Sequence, residues 1–277
     1  MQATLKTKVK QYDYSKQTLV MGILNVTPDS FSDGGKFNGV DRAVERALKM
    51  ESQGAHIIDV GGESTRPGHA PVNEEDEISR VVPVIEALRD RISVPVSIDT
   101  YKAEVAKQAL EAGASIINDV WGAKREPRIA QVAADYDVPI ILMHNRTNKK
   151  YRSLIDNMKV DLRESVDIAK QVGVKDQHII LDPGVGFAKT PEDNLVVMRN
   201  LHQFVELDYP ILLGTSRKSF IGLTLDLPED QRMEGTGATV CYGVAQGMHI
   251  VRVHDVEPIV RMTKMMDAMI GKGQTNG

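Results

Sequence analysis

Side chains that could do chemistry follow short apolar runs along this chain. Carboxylates stand at Asp99 and Asp182, an amide at Asn118, and cations at Lys218 and Arg252. A carboxylate accepts paired hydrogen bonds from N–H groups, an amide both donates and accepts, and a lysine or arginine suits an anion. Together these groups suit a ligand with a nitrogen-rich polar ring and a negatively charged tail.

The elements that would position these residues alternate along the chain. Eight apolar runs predict buried strands at residues 19–24, 56–60, 95–98, 115–117, 139–143, 178–181, 210–213 and 250–253. Helical patterns lie between and after them, at residues 41–52, 74–91, 102–112, 127–136, 152–172, 192–207, 235–246 and 257–270. Eight such pairs in 277 residues predict an α/β fold, a single-domain (β/α)8 TIM barrel, with a doubly wound open sheet as the alternative.

The two ends of the chain are expected to have separate roles. Residues 1–18 precede the first predicted strand and contain Val9 and Tyr12 as possible strand formers, so we expect a cap over the bottom of the barrel. The barrel is predicted to span residues 19–270, and residues 271–277 to form a flexible tail. The last helix carries four methionines that we expect in the core, with a subunit interface as the alternative: Met262, Met265, Met266 and Met269.

In a TIM barrel the active site lies at the carboxyl ends of the strands. Every predicted strand ends in polar residues, and the last two contribute the cations Arg217, Lys218, Arg252 and His254. Phosphate is commonly held at those two strands. A mouth lined in this way would leave buried polar groups unpaired without a ligand. The expected ligand is therefore a polar heterocycle that carries a phosphate or diphosphate.

The loop after the first predicted strand, residues 27–35, is long and polar and carries Phe31. A long loop launched from a buried strand is often a binding element. We interpret it as a lid over the barrel mouth, with an ordinary surface turn as the alternative.

Several polar residues near the strand ends have simpler interpretations. Asp59 is expected to hold backbone N–H groups of its loop. Asp119 and Asp255 would alternatively cap the helices that follow them. His144 would alternatively be a core histidine whose hydrogen bonds are made within the protein. The segment GTSRKS lacks the glycine that a phosphate-binding P-loop places just before its lysine, because Arg217 stands there.

Bulk properties limit the possible partners. The 34 basic and 38 acidic residues give a net charge of −4, which offers no reason to expect binding to nucleic acid or to a membrane. The single cysteine, Cys241, cannot form an internal disulfide, and the N-terminal segment lacks the apolar core of a signal peptide. We therefore expect a cytoplasmic protein.

Eight motifs, taken together, carry a family resemblance. They are ILNVTPDSFSDGG at 23–35, IIDVGGESTRPG at 57–68, SIDTYKAEVA at 97–106, INDVWG at 117–122, MHNR at 143–146, LDPGVGFAKT at 181–190, GTSRKSFIG at 214–222 and RVHDV at 252–256. In this order they closely resemble the dihydropteroate synthase family of folate biosynthesis. The resemblance implies a transferase that joins 6-hydroxymethyl-7,8-dihydropterin diphosphate to 4-aminobenzoate, releasing diphosphate and 7,8-dihydropteroate. It also implies that sulfonamides bind in the aminobenzoate pocket.

The same resemblance implies roles for residues at matching positions. The pterin ring would be held by Asp99, Asn118, Asp182 and Lys218, with Met143 packing beside it. Substrate binding at the diphosphate end and beside it would involve Thr65, Arg66, Arg252 and His254. The aminobenzoate would lie near Pro67, Phe187, Lys218 and Ser219. Asn25 would help to bind Mg²⁺, and the residues expected to act in catalysis are Asp33, Asp99 and Lys218.

The expected chemistry is dissociative. Loss of diphosphate would leave a cationic methylene group on the pterin, which Asp99 and Asp33 would stabilise, while Mg²⁺, Arg252 and His254 would stabilise the departing anion. The aryl amine is unprotonated at neutral pH and needs no strong base. The loops at residues 27–35 and 63–68 would close to exclude water.

Two other protein classes would share part of this pattern. A pterin-binding methyltransferase barrel would need the pterin acceptors, but not Arg252, His254 and the basic segment around Lys218. A non-catalytic pterin-binding protein would not need both loops. The resemblance further implies a homodimer.

Overall fold

The computed structural model describes residues 4–27, 36–63 and 71–273, with the backbone alone for residues 36–38. Four of the predicted site residues lie outside these ranges: Asp33, Thr65, Arg66 and Pro67. Residues 28–35, which include most of the predicted lid, and residues 274–277 of the predicted tail also lie outside them.

A short antiparallel hairpin, β1 (Thr4–Lys6) and β2 (Gln11–Asp13), precedes an eight-stranded parallel sheet. The strands of that sheet are β3 (Leu19–Asn25), β4 (Ile57–Gly61), β5 (Val96–Asp99), β6 (Ile116–Asp119), β7 (Ile140–Met143), β8 (Ile179–Asp182), β9 (Leu212–Leu213) and β10 (Ile250–Val253). Their order is β8-β7-β6-β5-β4-β3-β10-β9, and a parallel bridge from Leu181 to Ile211 joins the outer two. The sheet is thus closed, which confirms the TIM barrel and excludes the doubly wound open sheet.

Helices follow the strands and surround the barrel. They are α1 (Lys36–Ser52), α2 (Glu74–Arg89), α3 (Ala103–Ala112), α4 (Arg128–Tyr136), α5 (Leu154–Gln171), α6 (Pro191–Arg199), α7 (His202–Val205), α8 (Ser219–Leu225), α9 (Met233–Ala245) and α10 (Val256–Met269). Two further short 3₁₀ turns span Asp176–His178 and Glu229–Gln231. None of the helices in the described ranges is long and apolar enough to cross a membrane.

Two helices differ from the sequence prediction. The helix predicted at residues 192–207 is divided into α6 and α7. The first helix ends before Asn200, because the side-chain amide of Asn200 donates a hydrogen bond to the carbonyl of Val196. The short helix α8, which follows Lys218, was not predicted. Its seven residues are too few to show a helical repeat in the sequence.

The strands are buried on both faces, which explains their apolar composition. Along β3, Leu19 and Met21 belong to a cluster inside the barrel, whereas Val20 and Leu24 belong to the core between the sheet and the helices. The interior cluster continues through the first half of other strands, with Ile57, Ile116, Ile141, Ile180, Leu212 and Ile250. An apolar plug therefore fills the barrel at the amino ends of its strands.

The hairpin packs onto this plug. Leu5, Tyr12 and Tyr14 are members of the interior cluster, and the Tyr12 hydroxyl donates a 2.7 Å hydrogen bond to the carbonyl of His56, just before β4. Val9, predicted as a strand former, instead lies in the turn between β1 and β2 and is 51% exposed. The division of the chain into a cap, a barrel and a tail stays a prediction.

The methionines of α10 do not all lie in the core as expected. Met262 and Met266 pack partly buried against it, whereas Met265 and Met269 are each 60% exposed. The prediction was wrong for the latter pair, because one side of this helix faces away from the barrel.

The contact between the hairpin and the barrel can be tested at Tyr12. We expect Tyr12→Ala to lower the free energy of unfolding by about 3 kcal/mol or more, because it removes a buried ring. Tyr12→Phe, which removes only the hydrogen bond to His56, should cost about 1 kcal/mol. Urea unfolding followed by circular dichroism measures both, and equal small losses would contradict the packing of the hairpin on the barrel.

Candidate active site

The carboxyl ends of the strands bring the described site residues to one mouth. Asp99 ends β5 and lies in register with Asn118 of β6, and Met143 ends β7 in register with Asp182 of β8. All four side chains are buried. Asn25, the last residue of β3, is exposed at the same end of the barrel.

Arg252 of β10 forms the central contact of this mouth. Its Nε donates to Asp59 Oδ2 and its Nη2 donates to Asp99 Oδ2, each at 2.6 Å. Asn118 Nδ2 donates to the same oxygen of Asp59 at 3.1 Å. One guanidinium thus joins two carboxylates that belong to neighbouring strands, β4 and β5.

The expectation for Asp59 was wrong. Its carboxylate contacts Arg252 and Asn118 rather than backbone N–H groups of a loop. The reason is the two-residue repeat of a strand, since Ile57 faces the barrel interior and Asp59 must face the same way. Asp59 is fully buried and belongs to the mouth.

This cluster retains hydrogen-bonding capacity. Asp59 Oδ1 and Asp99 Oδ1 are both buried and have no hydrogen-bond partner among the described residues. Burial raises the pKa of Asp99, the Arg252 guanidinium opposes the rise, and Asp59 adds to it. Buried acceptors without donors are costly in a folded protein, so these two oxygens indicate the place of a ligand that carries N–H groups.

Asp182 and Lys218 face the same space from the other side of the mouth. A Cβ atom built on Gly214, just after β9, would lie 3.9 Å from both Asp182 Oδ2 and Lys218 Nζ and 4.0 Å from Arg252 Cβ. Glycine at this position therefore keeps the space between the three side chains open. Burial raises the pKa of Asp182, and burial lowers the pKa of Lys218 to about 8 although Asp182 opposes that shift.

The loop after β8 lies beside Lys218. The Lys218 ammonium donates to the carbonyl of Val185 and lies 4.8 Å from the centre of the Phe187 ring. Ser219 begins α8 immediately after Lys218 and is exposed. The structure thus brings together three of the residues predicted for the aminobenzoate pocket: Phe187, Lys218 and Ser219.

His254 is held in place by Ser216, which follows the neighbouring strand β9. The Ser216 hydroxyl lies 2.9 Å from His254 Nδ1, and the backbone N–H of His254 donates to Ser216 Oγ at 3.1 Å. Ser216 therefore contacts both the backbone and the side chain of His254. This pairing fixes the imidazole at the end of β10.

Four other polar residues near the strand ends have structural partners. Arg217 donates twice to Asp255, at 2.6 and 3.0 Å. Asp255 occupies the N-cap position of α10, but its side chain makes no capping hydrogen bond. Asp119 accepts from the backbone N–H groups of Trp121 and Ala123, which lie before α4, so its interpretation as a helix cap is wrong. His144 is buried and paired, as its alternative interpretation proposed.

A divalent cation would find oxygen donors here rather than a closed cage. Within the described ranges, no group of three or more histidine, cysteine, aspartate or glutamate side chains could hold a metal ion. The Asn25 amide oxygen is a hard donor at the mouth, and Mg²⁺ usually takes one or two protein oxygens together with substrate phosphates and water. The donor chemistry therefore fits Mg²⁺ bound with a phosphorylated substrate.

Comparison with known proteins agrees with this geometry. Residues 21–254 match the family described as pterin binding enzyme. A dihydropteroate synthase from Bacillus subtilis is 60% identical over 269 residues, which cover 97% of this chain and 94% of that protein.

Three solved structures resemble the fold closely. A dihydropteroate synthase from Clostridium difficile, in the presence of pteroic acid, has a TM-score of 0.91 and 49% identity and covers 93% of this chain and 98% of its own. The enzyme of Xanthomonas albilineans with 4-aminobenzoic acid has a TM-score of 0.92 and 38% identity, with coverage of 98% and 99%. That of Yersinia pestis, in a sulfonamide drug complex, has a TM-score of 0.90 and 38% identity, with coverage of 97% and 99%. The chain belongs to the pterin-binding enzyme family and, within it, to the dihydropteroate synthases.

Proposed function

We propose that this chain condenses 6-hydroxymethyl-7,8-dihydropterin diphosphate with 4-aminobenzoate to give 7,8-dihydropteroate and diphosphate. The observation that carries the proposal is the pair of buried acceptors without donors, Asp59 Oδ1 and Asp99 Oδ1, in a mouth that also holds Lys218 and Arg252. A pterin ring carries several N–H groups, and a diphosphate tail is an anion. The ligand predicted from the sequence therefore matches the family to which the chain belongs.

The pterin ring is proposed to lie among Asp99, Asn118 and Asp182. Asp182 is suited to this role because its Oδ1 accepts from the N–H of Gly184 at 2.7 Å, while its Oδ2 faces the space kept open at Gly214. Met143, buried at the end of β7, would pack against the ring. Lys218 would donate to a ring acceptor from the opposite side.

The diphosphate is proposed to lie near Arg252 and His254, together with Thr65 and Arg66, which lie outside the described residues. Arg252 carries its charge at the mouth already aligned by two carboxylates, so little reorganisation is needed when negative charge develops. Mg²⁺, held by Asn25 and the substrate, would supply electrostatic stabilisation of the leaving group.

The proposed route breaks the bond between the pterin methylene carbon and the diphosphate oxygen before the new bond forms. The bond's electron pair leaves with diphosphate, and the methylene becomes cationic. Asp99 would stabilise this cation, as would Asp33, which lies outside the described residues. The amine of 4-aminobenzoate then attacks the methylene carbon and loses a proton. Closure of the loops at residues 27–35 and 63–68, which would exclude water, stays a prediction.

The aminobenzoate is proposed to bind beside Phe187, Lys218 and Ser219, and near Pro67, which lies outside the described residues. Sulfonamides are proposed to occupy the same pocket. The homodimer and the cytoplasmic location also stay predictions. The exposed Met265 and Met269 leave apolar surface on α10 that a partner subunit would cover.

The activity itself can be tested with the purified protein. We expect mass spectrometry to detect 7,8-dihydropteroate, and a diphosphate assay to detect the released anion, only when both substrates and Mg²⁺ are present. Omission of each component in turn is the control. Binding of the pterin diphosphate without formation of product would contradict the enzyme assignment.

The role of Asp182 can be tested by calorimetry with the pterin substrate. We expect Asp182→Ala to weaken binding about 100-fold, because it leaves ligand donors unpaired. Asp182→Asn, which retains an acceptor for Gly184, should also bind weakly, since it lacks the second carboxylate oxygen. Asp135→Ala, on the exposed surface of α4, is the control and should bind normally. An unchanged affinity in both Asp182 variants would refute the role.

The pairing of Arg252 with two carboxylates predicts a pH-dependent stability. Arg252→Met should lower the free energy of unfolding by about 3 kcal/mol at pH 8, because it leaves buried carboxylates without a cation. Since Arg252 lowers the pKa of Asp99, its loss raises that pKa further above the unfolded value. The folded variant then binds more protons than the unfolded chain, so its stability should rise, and the deficit shrink, as the pH falls toward 5.

Urea unfolding at several pH values measures this effect. Arg261→Met is the control, because Arg261 is 69% exposed and pairs with Glu257 on its own helix; its cost should stay within about 0.5 kcal/mol. A deficit in Arg252→Met that did not change with pH would contradict the assignment of the buried charges.

A further inference from the structure

A buried lysine behind the candidate site has no role in the proposed reaction. Lys189 is 4% exposed, and its ammonium has three hydrogen-bond donors. They reach the carbonyls of Gly184 and Phe187, each at 2.9 Å, and Nδ1 of His144 at 3.0 Å. All three donors therefore have acceptors, and two of these acceptors belong to the loop after β8.

His144 is itself set to accept from Lys189. Its Nε2 lies 2.9 Å from Asp161 Oδ2, and Asp161 also accepts two hydrogen bonds from Arg146, at 2.5 and 3.1 Å. Burial acts to raise the pKa of Asp161, but the hydrogen bonds from His144 and Arg146 hold it well below its usual range. Burial lowers the pKa of His144 to about 4, so the ring is neutral at pH 7. These neighbours place the proton on Nε2 and leave Nδ1 as the acceptor.

The loop that Lys189 contacts, residues 184–188, has three residues in the left-handed backbone region. Gly184, Gly186 and Ala188 all have positive φ angles, of 64°, 89° and 49°. A Cβ atom on Gly184 would meet the carbonyl oxygen of His144 at 2.0 Å, so this position requires glycine. A loop in such a conformation persists only when surrounding contacts determine it.

The front of the same loop faces the candidate site. Its Val185 carbonyl accepts from Lys218, and its Phe187 ring lies beneath the Lys218 ammonium. Its outer side is tied down by Tyr151, whose hydroxyl donates to the carbonyl of Ala188 at 2.9 Å. Lys189 thus contacts the back of residues 184–188. The opposite side of this segment contacts Lys218 and carries the Phe187 ring.

We propose that Lys189 is a positioning residue for the aminobenzoate pocket, acting through the backbone of residues 184–188 on Phe187 and Lys218. The inference rests on the proposed function, because the pocket is defined by the second substrate. Burial lowers the pKa of Lys189 to about 7, with Asp182 opposing, so a charged lysine at this place is costly. Only specific acceptors compensate that cost, and two of the three are loop carbonyls.

Substitution of Lys189 should separate the two substrates. Lys189→Met keeps the length of the side chain and removes all three donors, which leaves the Gly184 and Phe187 carbonyls unpaired. We expect the KM for 4-aminobenzoate, measured at saturating pterin diphosphate, to rise about tenfold or more, because misplacement of a binding group is costly. The affinity for the pterin diphosphate, by calorimetry, should fall by a clearly smaller factor, because Asp182 and Lys218 adjoin the loop whereas Asp99 and Asn118 stand on other strands.

Two further variants make the test decisive. Lys170→Met, at a half-exposed lysine that pairs with Asp176 on the surface, is the matched control and should leave both substrates unaffected. Tyr151→Phe loosens the same loop from its outer side and should raise the KM for 4-aminobenzoate in the same direction by about two- to fivefold, the loss of one neutral hydrogen bond. If Lys189→Met does not fold, the KM of Tyr151→Phe for 4-aminobenzoate decides the test.

The outcomes distinguish the inference from the proposed function. A wild-type protein that forms no 7,8-dihydropteroate overturns the proposed function, and the inference with it. An active wild type with an unchanged KM for 4-aminobenzoate in folded Lys189→Met overturns the inference alone. Equal weakening of both substrates, or an unchanged KM in Tyr151→Phe if Lys189→Met does not fold, also overturns it, since these results show a structural role only.

Discussion

The contact of Arg252 with Asp59 and Asp99 is the interaction on which the mouth of this barrel depends. It crosses the barrel interior from β10 to β4 and β5, with β3 lying between them in the sheet. Without the guanidinium, two buried carboxylates would repel each other. With it, the cluster keeps one oxygen of each aspartate for a ligand. The same cation that allows the carboxylates to be buried is the one proposed to stabilise the anionic leaving group.

A single geometric rule links this cluster to the apolar plug at the other end of the barrel. Side chains two residues apart on a strand face the same way. Ile57, Ile116, Ile180 and Ile250 belong to the plug, and two residues after each stands a polar residue of the mouth. These residues are Asp59, Asn118, Asp182 and Arg252. The stability of the fold and the chemistry of the site thus share the same strands, divided by position along them.

This rule also explains how much could be predicted from the sequence. Asp99, Asn118 and Asp182 were identified because each directly ends an apolar run, where TIM barrels place their sites. Asp59 was misinterpreted because its strand continues to Gly61, although its separation from Ile57 carried the signal. The pairing of Arg217 with Asp255 and the contacts of Lys189 with His144 join residues 38 and 45 positions apart. Such contacts follow from the pairing of neighbouring parallel strands that are far apart in the chain, which no local pattern encodes.

The hairpin at the start of the chain limits where substrates and products can enter and leave the barrel. Leu5, Tyr12 and Tyr14 complete the apolar plug, and Leu19, Met21 and Ile57 within it are fully buried from solvent. The barrel interior is therefore closed at the amino ends of the strands and does not form a through channel. Whatever enters at the mouth must leave through it, so diphosphate and the larger pterin product share a single exit. The order in which they depart then decides when the next pterin can be admitted.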